Sequence, residues 1–321
     1  MRRFARVILL ILGTLYYRIR GVRPVWRFLN RQGRTLYARH ALSLSPLEAT
    51  LVASLRERGI AVAHASELFG SLALLEELRR YALSRWENPH IRAAVREREQ
   101  ILATGSKPRI RKPFLINLWD GPAVIDLAHP FIRFSLSDPI LRVVNAYLGM
   151  FSKFRFWHLE ATLPLPPRLR ATASQRWHRD PEDRKLVKVF VYLNDVTEAA
   201  GPFTYLQYSH DGGKWRALYP QSPPRGTLAM PPHAEYSLPE EDVMSSTGRA
   251  GTIIFCDTSG LHRGGLALER PRIMYTSVYT SPASVWPIRY TYPSGFHAGG
   301  LSLQARFAVA NDPRQRAPRY Y

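Results

Sequence analysis

Cysteine is almost missing from this 321-residue chain: its one example, Cys256, lies in the apolar run GTIIFCD. A single thiol rules out an intrachain disulfide framework and any zinc site built on cysteines, and it fits a reducing compartment. Lysine is scarce too. Six lysines stand among 45 basic residues, so the excess over 25 acids, a formal net charge of +20, is almost wholly arginine. A chain so short of acids calls for an anionic partner: a membrane surface, a phosphorylated substrate or nucleic acid. Arginine's planar fork suits carboxylates and phosphates; a generic basic surface is the plainer alternative. Long hydrophobic runs are absent as well. The longest uncharged N-terminal run, Val7 to Tyr17, has eleven residues, against the ~20 that a membrane span needs. It ends in Leu15, Tyr16, Tyr17 and Arg18 rather than the small residues of a cleavage site, which argues against a cleaved signal peptide. No internal repeat or low-complexity tract occurs.

What is present begins with that N-terminus. Arg2, Arg3 and Arg6 precede the apolar run and Arg18, Arg20 and Arg23 follow it, and residues 1–50 hold ten arginines against one acid, Glu48. Arginines at anionic headgroups, with Tyr16, Tyr17 and Trp26 at the boundary, describe an interfacial helix or hairpin. A helix docked on the protein's own core is the alternative. The expected location is therefore peripheral, at a membrane surface, and otherwise cytoplasmic. Nucleic acid is not expected as a partner, since it offers the apolar run no burial.

The length accommodates one large domain with extensions. Four segments are expected: 1–40, basic and membrane-associating; 41–150, a helical support with the first strands; 151–290, the catalytic core; and 291–321, a basic tail. Ser45-Pro46-Leu47-Glu48 is a capping box that opens a helix stopped by Gly59. IAVAHA reads as a strand. Ser66 to Leu102 reads as two helices broken near Asn88-Pro89, and Asp138-Pro139 caps another running through ILRVVNAYLG. From about residue 152 short runs rich in Val, Phe, Tyr and Thr take over: KFRFWHLEATL, KLVKVFVYLND, PFTYLQYS, GTLAMP, GTIIFCD and RIMYTSVYT. Many short strands point to a sandwich or barrel. The fold class is mainly β with flanking helices. His233 to Gly248 interrupts the strands as a candidate lid.

One stretch carries chemistry: RWHRDPEDRKLVKVFVYLNDV, Arg176 to Val196. On a strand, residues i and i+2 share a face, so His178 and Asp180 aim together while Arg179 points away. A metal needs a third ligand, and His262 follows the apolar strand in GTIIFCDTSGLHRGG. Two histidines and a carboxylate make the facial set of non-haem Fe(II) oxygenases; zinc takes the same ligands for hydrolysis. Ten residues beyond His262, Arg272 heads a strand on which Met274 and Thr276 share its face. An arginine with a hydroxyl beside it suits the far end of a dicarboxylate, which a hydrolase does not need. Each residue alone has a plain structural explanation: a hydrogen-bonded buried histidine, a turn histidine and a surface arginine.

At these residues the chain resembles the Fe(II)/2-oxoglutarate-dependent dioxygenases of the phytanoyl-CoA hydroxylase type. The resemblance rests on His178-Arg179-Asp180, GPFTYLQYSH, GTIIFCDTSGLHRGG and the RPR segment, and it spans roughly residues 100 to 285; the first hundred residues match weakly and the first forty not at all. It implies a double-stranded β-helix (a jelly roll, cupin-like) packed on helices from the N-terminal half. His178, Asp180 and His262 would bind Fe(II). Arg272 would hold the far carboxylate of 2-oxoglutarate, assisted by Thr276, with ascorbate as reductant in vitro. The family's arginine often sits one residue later, where this chain has Ile273, so Arg270 stays an alternative. Related halogenases lack the carboxylate, and the presence of Asp180 therefore implies hydroxylation. A basic interfacial N-terminus on such a core is compatible with the Kdo 3-hydroxylases, which act on the acidic Kdo sugar of Kdo-lipid A, a lipopolysaccharide modification; that likeness implies a peripheral place on the cytoplasmic side of the inner membrane. The alternatives are the same chemistry on an acyl thioester or small metabolite, and a non-catalytic basic barrel that binds lipid or nucleic acid. His158 either faces the pocket or is a core histidine; Lys107 to Lys112 is a basic run that either receives phosphates or a carboxylate or is a solvated loop; Trp157 and Trp177 are expected to pack.

Overall fold

The computed structural model describes residues 2–104, 112–166, 171–221, 230, 234 and 237–310, with side chains described from residue 11 onward. GTLAMP (apart from Met230), Lys107 to Arg111 of the basic run, parts of the candidate lid and the tail beyond residue 310 lie outside the described residues.

Three consecutive helices open the chain: α1 (Arg2–Gly21), α2 (Arg23–Leu29) and α3 (Arg31–His40). Pro24 in its first turn starts α2 afresh. Asn30, between α2 and α3, is fully buried; its amide donates to the Trp26 carbonyl and its oxygen accepts from the Ala283 N–H at 2.8 Å. Gly33 lets α3 approach closely: a Cβ there would lie 3.0 Å from the Pro282 ring and 3.2 Å from the Phe151 carbonyl oxygen. The docked helix weighed for the N-terminus is thus real for α2 and α3, whereas α1 leaves much of its apolar surface uncovered.

Helix α4 (Pro46–Arg58) carries the expected capping box from Ser45 and Glu48 and ends at Gly59. Glu48 is also buried, where Arg142 donates to both its oxygens at 2.7–3.0 Å. Strand β1 (Ile60–His64) follows. The stretch expected as two helices forms three: α5 (Ala65–Phe69), α6 (Ala73–Trp86) and α7 (Pro89–Ala103). The break at Asn88-Pro89 is as expected; the added one comes at Gly70, whose φ of 66° ends α5 in the left-handed region. Strand β2 (Leu115–Asn117), α8 (Pro130–Ser135) and α9 (Asp138–Leu148) complete the first half. Asp138 does not cap α9; its carboxylate instead accepts from Ser302 and Gln304, at the start of the last helix.

The second half supplies β3 (Lys153–Thr162), β4 (Leu186–Tyr192), β5 (Phe203–Leu206), β6 (Val243–Ser246), β7 (Thr252–Cys256), β8 (His262–Gly264), β9 (Arg272–Thr280) and α10 (Leu303–Val309). These form two antiparallel sheets, one in the order β1-β7-β4-β9-β3-β2 and one in the order β6-β5-β8. The second part of the candidate lid is therefore strand β6, paired residue by residue with β5.

Alternation decides what each face does. Val187, Val189 and Val191 of β4, with Ile273, Tyr275 and Tyr279 of β9, bury themselves against the helices. The opposite face carries Phe190, Tyr192 and Ile254, which meet Phe203 and Tyr205 of the smaller sheet in a second core. Two sheets closed on a shared interior, with helices outside, make the double-stranded β-helix that the family resemblance implied. Its interior beyond that second core is a cavity of about 360 Å³.

Candidate active site

The cavity is built by alternate residues of three neighbouring strands. Phe156, His158, Glu160 and Thr162 come from β3, Lys188 and Phe190 from β4, and Arg272, Met274 and Thr276 from β9. Their register makes Thr162 face Arg272, Glu160 face Met274, and His158 and Phe190 flank Thr276.

His178 and Asp180 arrive differently from the expectation. They do not lie on a strand: His178 makes an isolated bridge to His262, each N–H donating to the other's carbonyl at 2.9 Å. The Asp180 N–H donates to the Thr258 carbonyl at 2.9 Å, and β4 begins only at Leu186. Extended backbone still puts both side chains on one side. Arg179 points away, as expected, and is buried among carbonyls, donating to those of Ser209, Ser259, Leu218 and Tyr219 at 2.6–2.7 Å. Those bonds fix the segment from behind.

His178, Asp180 and His262 meet inside the cavity, each offering one ligand atom, all within 4.8 Å of one another. The imidazole tautomers follow from their other bonds. His178 Nδ1 lies 2.7 Å from the Arg176 carbonyl and His262 Nδ1 3.0 Å from the Gly260 carbonyl. A carbonyl only accepts, so each Nδ1 carries hydrogen and each Nε2 presents its lone pair when the ring is neutral. Those Nε2 atoms lie 3.8 Å and 3.2 Å from the Asp180 carboxylate oxygens. Burial, and then the neighbouring His262, push the His178 pKa down to about 3, which keeps that imidazole neutral. The donor set and its geometry fit a divalent metal with open positions.

Lys188 is the residue that the sequence reading passed over. Its ammonium bonds Asp180 Oδ2 at 2.7 Å and Glu182 Oε1 at 3.2 Å. Burial alone would lower its pKa, but the two carboxylates outweigh that and raise it. Asp180 is held well below the usual carboxylate range: burial acts against this, and Lys188 and His262 prevail. A lysine inside KLVKVFVYL is itself a signal, because period two puts it on the same face as Phe190. Replacing it (Lys188→Met) would leave two buried carboxylates facing each other. We expect the metal-free protein to lose about 3–5 kcal/mol in urea unfolding. Added Fe(II) should recover part of that loss, since the cation would take the lysine's place beside Asp180.

Arg272 is 4% exposed. It donates to Thr162 Oγ1 at 3.2 Å and to the Gly201 carbonyl, and its buried Nε has no hydrogen-bond partner among the described residues. Arg270 is exposed and does not line the cavity. Thr276 lies on the Arg272 face, as the alternation required. His158 faces the pocket rather than the core; burial and then Lys188, Lys112 and Arg289 lower its pKa to about 3. Trp177 and Trp157 are packing residues, in separate apolar clusters.

Residues 72–266 match the sequence model of the phytanoyl-CoA dioxygenase (PhyH) family. The chain belongs to this family. It is a 2-oxoglutarate-dependent dioxygenase, with Fe(II) and 2-oxoglutarate as cofactors. Among solved structures it is similar to EctD from S. alaskensis with 2-oxoglutarate and 5-hydroxyectoine (16% identity, 87% of this chain and 89% of that one, TM-score 0.50). It is also similar to EctD from S. alaskensis with bound Fe (13% identity, 87% and 91%, TM-score 0.50). A third, the epimerase SnoN in complex with Fe3+, alpha ketoglutarate and nogalamycin RO, matches at 16% identity, 85% and 96% coverage and a TM-score of 0.47. At such identities the likeness concerns the fold. No curated protein matches the sequence.

Proposed function

We propose that this family member hydroxylates an anionic substrate presented at a membrane surface, and that the Kdo sugar of Kdo-lipid A suits it best. His178, Asp180 and His262 would hold the iron, and Arg272 the far carboxylate of 2-oxoglutarate with Thr276 beside it. Bound there, iron and 2-oxoglutarate supply the activation of dioxygen for hydroxylation. The chain's own part is positioning. The two Nδ1–carbonyl bonds aim the imidazoles, Lys188 restrains the Asp180 carboxylate, and Phe156, Phe190, Phe203 and Met274 supply apolar wall.

The observation that carries the membrane part is the uncovered face of α1. Ile11, Leu12, Leu15, Tyr16 and Ile19 are each 50–60% exposed and fall on one side at helical spacing. Such a stripe beside arginines suits an anionic bilayer interface. Among the described residues no helix is long and apolar enough to cross a membrane. The other side of α1 leads to the chemistry: Tyr17, Arg18 and Arg20 share a small cavity with Pro181, Glu182 and Asp183, and Glu182 also lines the iron chamber. A surface-bound α1 would bring that chamber close to the headgroups.

Two experiments test this reading. Purified protein with Fe(II), ascorbate and 2-oxoglutarate should add one oxygen atom to Kdo-lipid A by mass spectrometry; an unmodified lipid refutes the substrate. Replacing Ile11, Leu15 and Ile19 by serine should weaken sedimentation with anionic vesicles at least about tenfold, and equal sedimentation removes the membrane argument. Truncating residues 1–30 is the poorer variant, because Trp26 donates to Asp183 at 2.9 Å and Asn30 is buried against Ala283. Its loss would disturb the segment just after Asp180.

A further inference from the structure

The chamber has two cationic poles, and only one has been given a task. Arg272 faces Thr162 near one end of β3. Near the other end, six residues away and roughly 20 Å along the strand, the Arg289 guanidinium lies over the Phe156 ring at 4.8 Å and the Trp286 ring at 5.7 Å. It is exposed at the chamber's edge, and no described carboxylate lies within ion-pair distance of it. Trp286 Nε1 is buried without a hydrogen-bond partner among the described residues. Two donors with no acceptor therefore sit together at one rim, on the aromatic surfaces that favour a flat guanidinium.

Their placement is built rather than incidental. Fully buried Arg155 donates to Thr280 Oγ1 and to the carbonyls of Ser281, Ser284 and Trp286 at 2.6–3.1 Å, and its own carbonyl accepts from the Arg289 N–H at 2.9 Å. The Trp286 N–H donates to Ser284 Oγ at 3.1 Å, and that hydroxyl donates to the Glu182 carbonyl at 2.6 Å. The segment after β9 is thus clamped to β3 and to the loop that follows Asp180. A rigid site of this kind loses little conformational entropy on binding an anion.

Charge points the same way. Among the described residues the chamber is lined by four cations, Lys112, Lys188, Arg272 and Arg289, against three carboxylates, Glu160, Asp180 and Glu182. Lys188 is occupied by Asp180 and Glu182. A divalent iron and a doubly charged 2-oxoglutarate cancel each other, so among the described residues one positive charge stays uncompensated; besides Arg272, the lining cations without a described ion-pair partner are Lys112, just before β2 at the Arg272 end, and Arg289 at the opposite rim.

We infer that Arg289, with the Trp286 N–H, binds a single carboxylate on the substrate, opposite the 2-oxoglutarate end, and so selects acidic substrates. This rests on the dioxygenase reading of the chamber and deepens it by naming the group that is recognised. The arginine is a specificity residue and leaves the cosubstrate untouched.

The test is an anaerobic equilibrium titration of the full chain loaded with Fe(II) and 2-oxoglutarate. The probes are Kdo, N-acetylneuraminate and octanoate, each beside its methyl ester. A charge-assisted pair to arginine predicts that at least one acid binds about tenfold or more tightly than its ester. In Arg289→Gln that preference should fall to within about threefold while 2-oxoglutarate affinity is unchanged, and Arg289→Lys should keep part of it. Acids and esters that bind alike, three acids that do not bind, or a preference that survives Arg289→Gln would overturn the inference. Kdo failing while another acid passes overturns the Kdo assignment alone.

Discussion

Asp180→Ala is expected to eliminate 2-oxoglutarate turnover while leaving the barrel folded. Asp180 supplies the only carboxylate in the three-residue cluster and lies 3.2–3.8 Å from both imidazole Nε2 atoms. Removing a group that merely supports a ligand costs about 10–100-fold in metal affinity; removing the ligand itself should cost more, so iron binding should weaken by well over about 100-fold. Succinate formation should then fall to background with or without substrate. Folding should survive, because Lys188 keeps Glu182 as a counterion at 3.2 Å and the Asp180 backbone bond to Thr258 does not involve the side chain. Circular dichroism alongside iron binding separates the two effects. Retention of full turnover by this variant would leave the barrel with no oxygenase centre at this cluster.

Arg272→Met is the second large effect, and its sign differs between ligand-free and ligand-bound protein. The guanidinium is buried, burial lowers its pKa, and no described carboxylate pairs with it. A buried charge without a counterion is costly, so the variant without 2-oxoglutarate should be as stable as the parent or slightly more so. Binding should suffer. Truncating one partner of a buried charged pair costs about 2–5 kcal/mol, which is a rise in the KM for 2-oxoglutarate of at least about 30-fold. Saturating 2-oxoglutarate, near 100 times Kd, should stabilise the parent by about 2.7 kcal/mol and the variant by far less. An equal thermal shift in both proteins would move the cosubstrate anchor elsewhere, and the exposure of Arg270 makes that residue a poor substitute.

Much of this site could be read from the chain because its chemistry sits in period-two patterns. Arg272, Met274 and Thr276 share the inner face as alternation demands, and the HxD pair converges even though its backbone is a bridge segment rather than a strand. Lys188 escaped because KLVKVFVYL reads equally as an edge strand with a solvated lysine; pairing of β4 on both sides, with β7 and β9, is what turns that lysine inward. Arg289 lies after the last strand, where no periodicity exists, and reaches the chamber only through the Arg155 clamp. The docking of α2 and α3 was undecidable for a similar reason. It depends on Trp26 meeting Asp183 and Asn30 meeting Ala283, contacts 157 and 253 residues apart in sequence. Along the helices, local rules were enough for the α4 capping box and the Asn88-Pro89 break, while Gly70 introduced one stop that helical periodicity alone conceals.

The most direct measurement is anomalous scattering at the iron edge from crystals grown anaerobically with Fe(II) and 2-oxoglutarate. The account predicts one iron held by His178 Nε2, His262 Nε2 and the Asp180 carboxylate, with the far carboxylate of 2-oxoglutarate on Arg272. Iron bound elsewhere, or none within bonding distance of those three side chains, would contradict it.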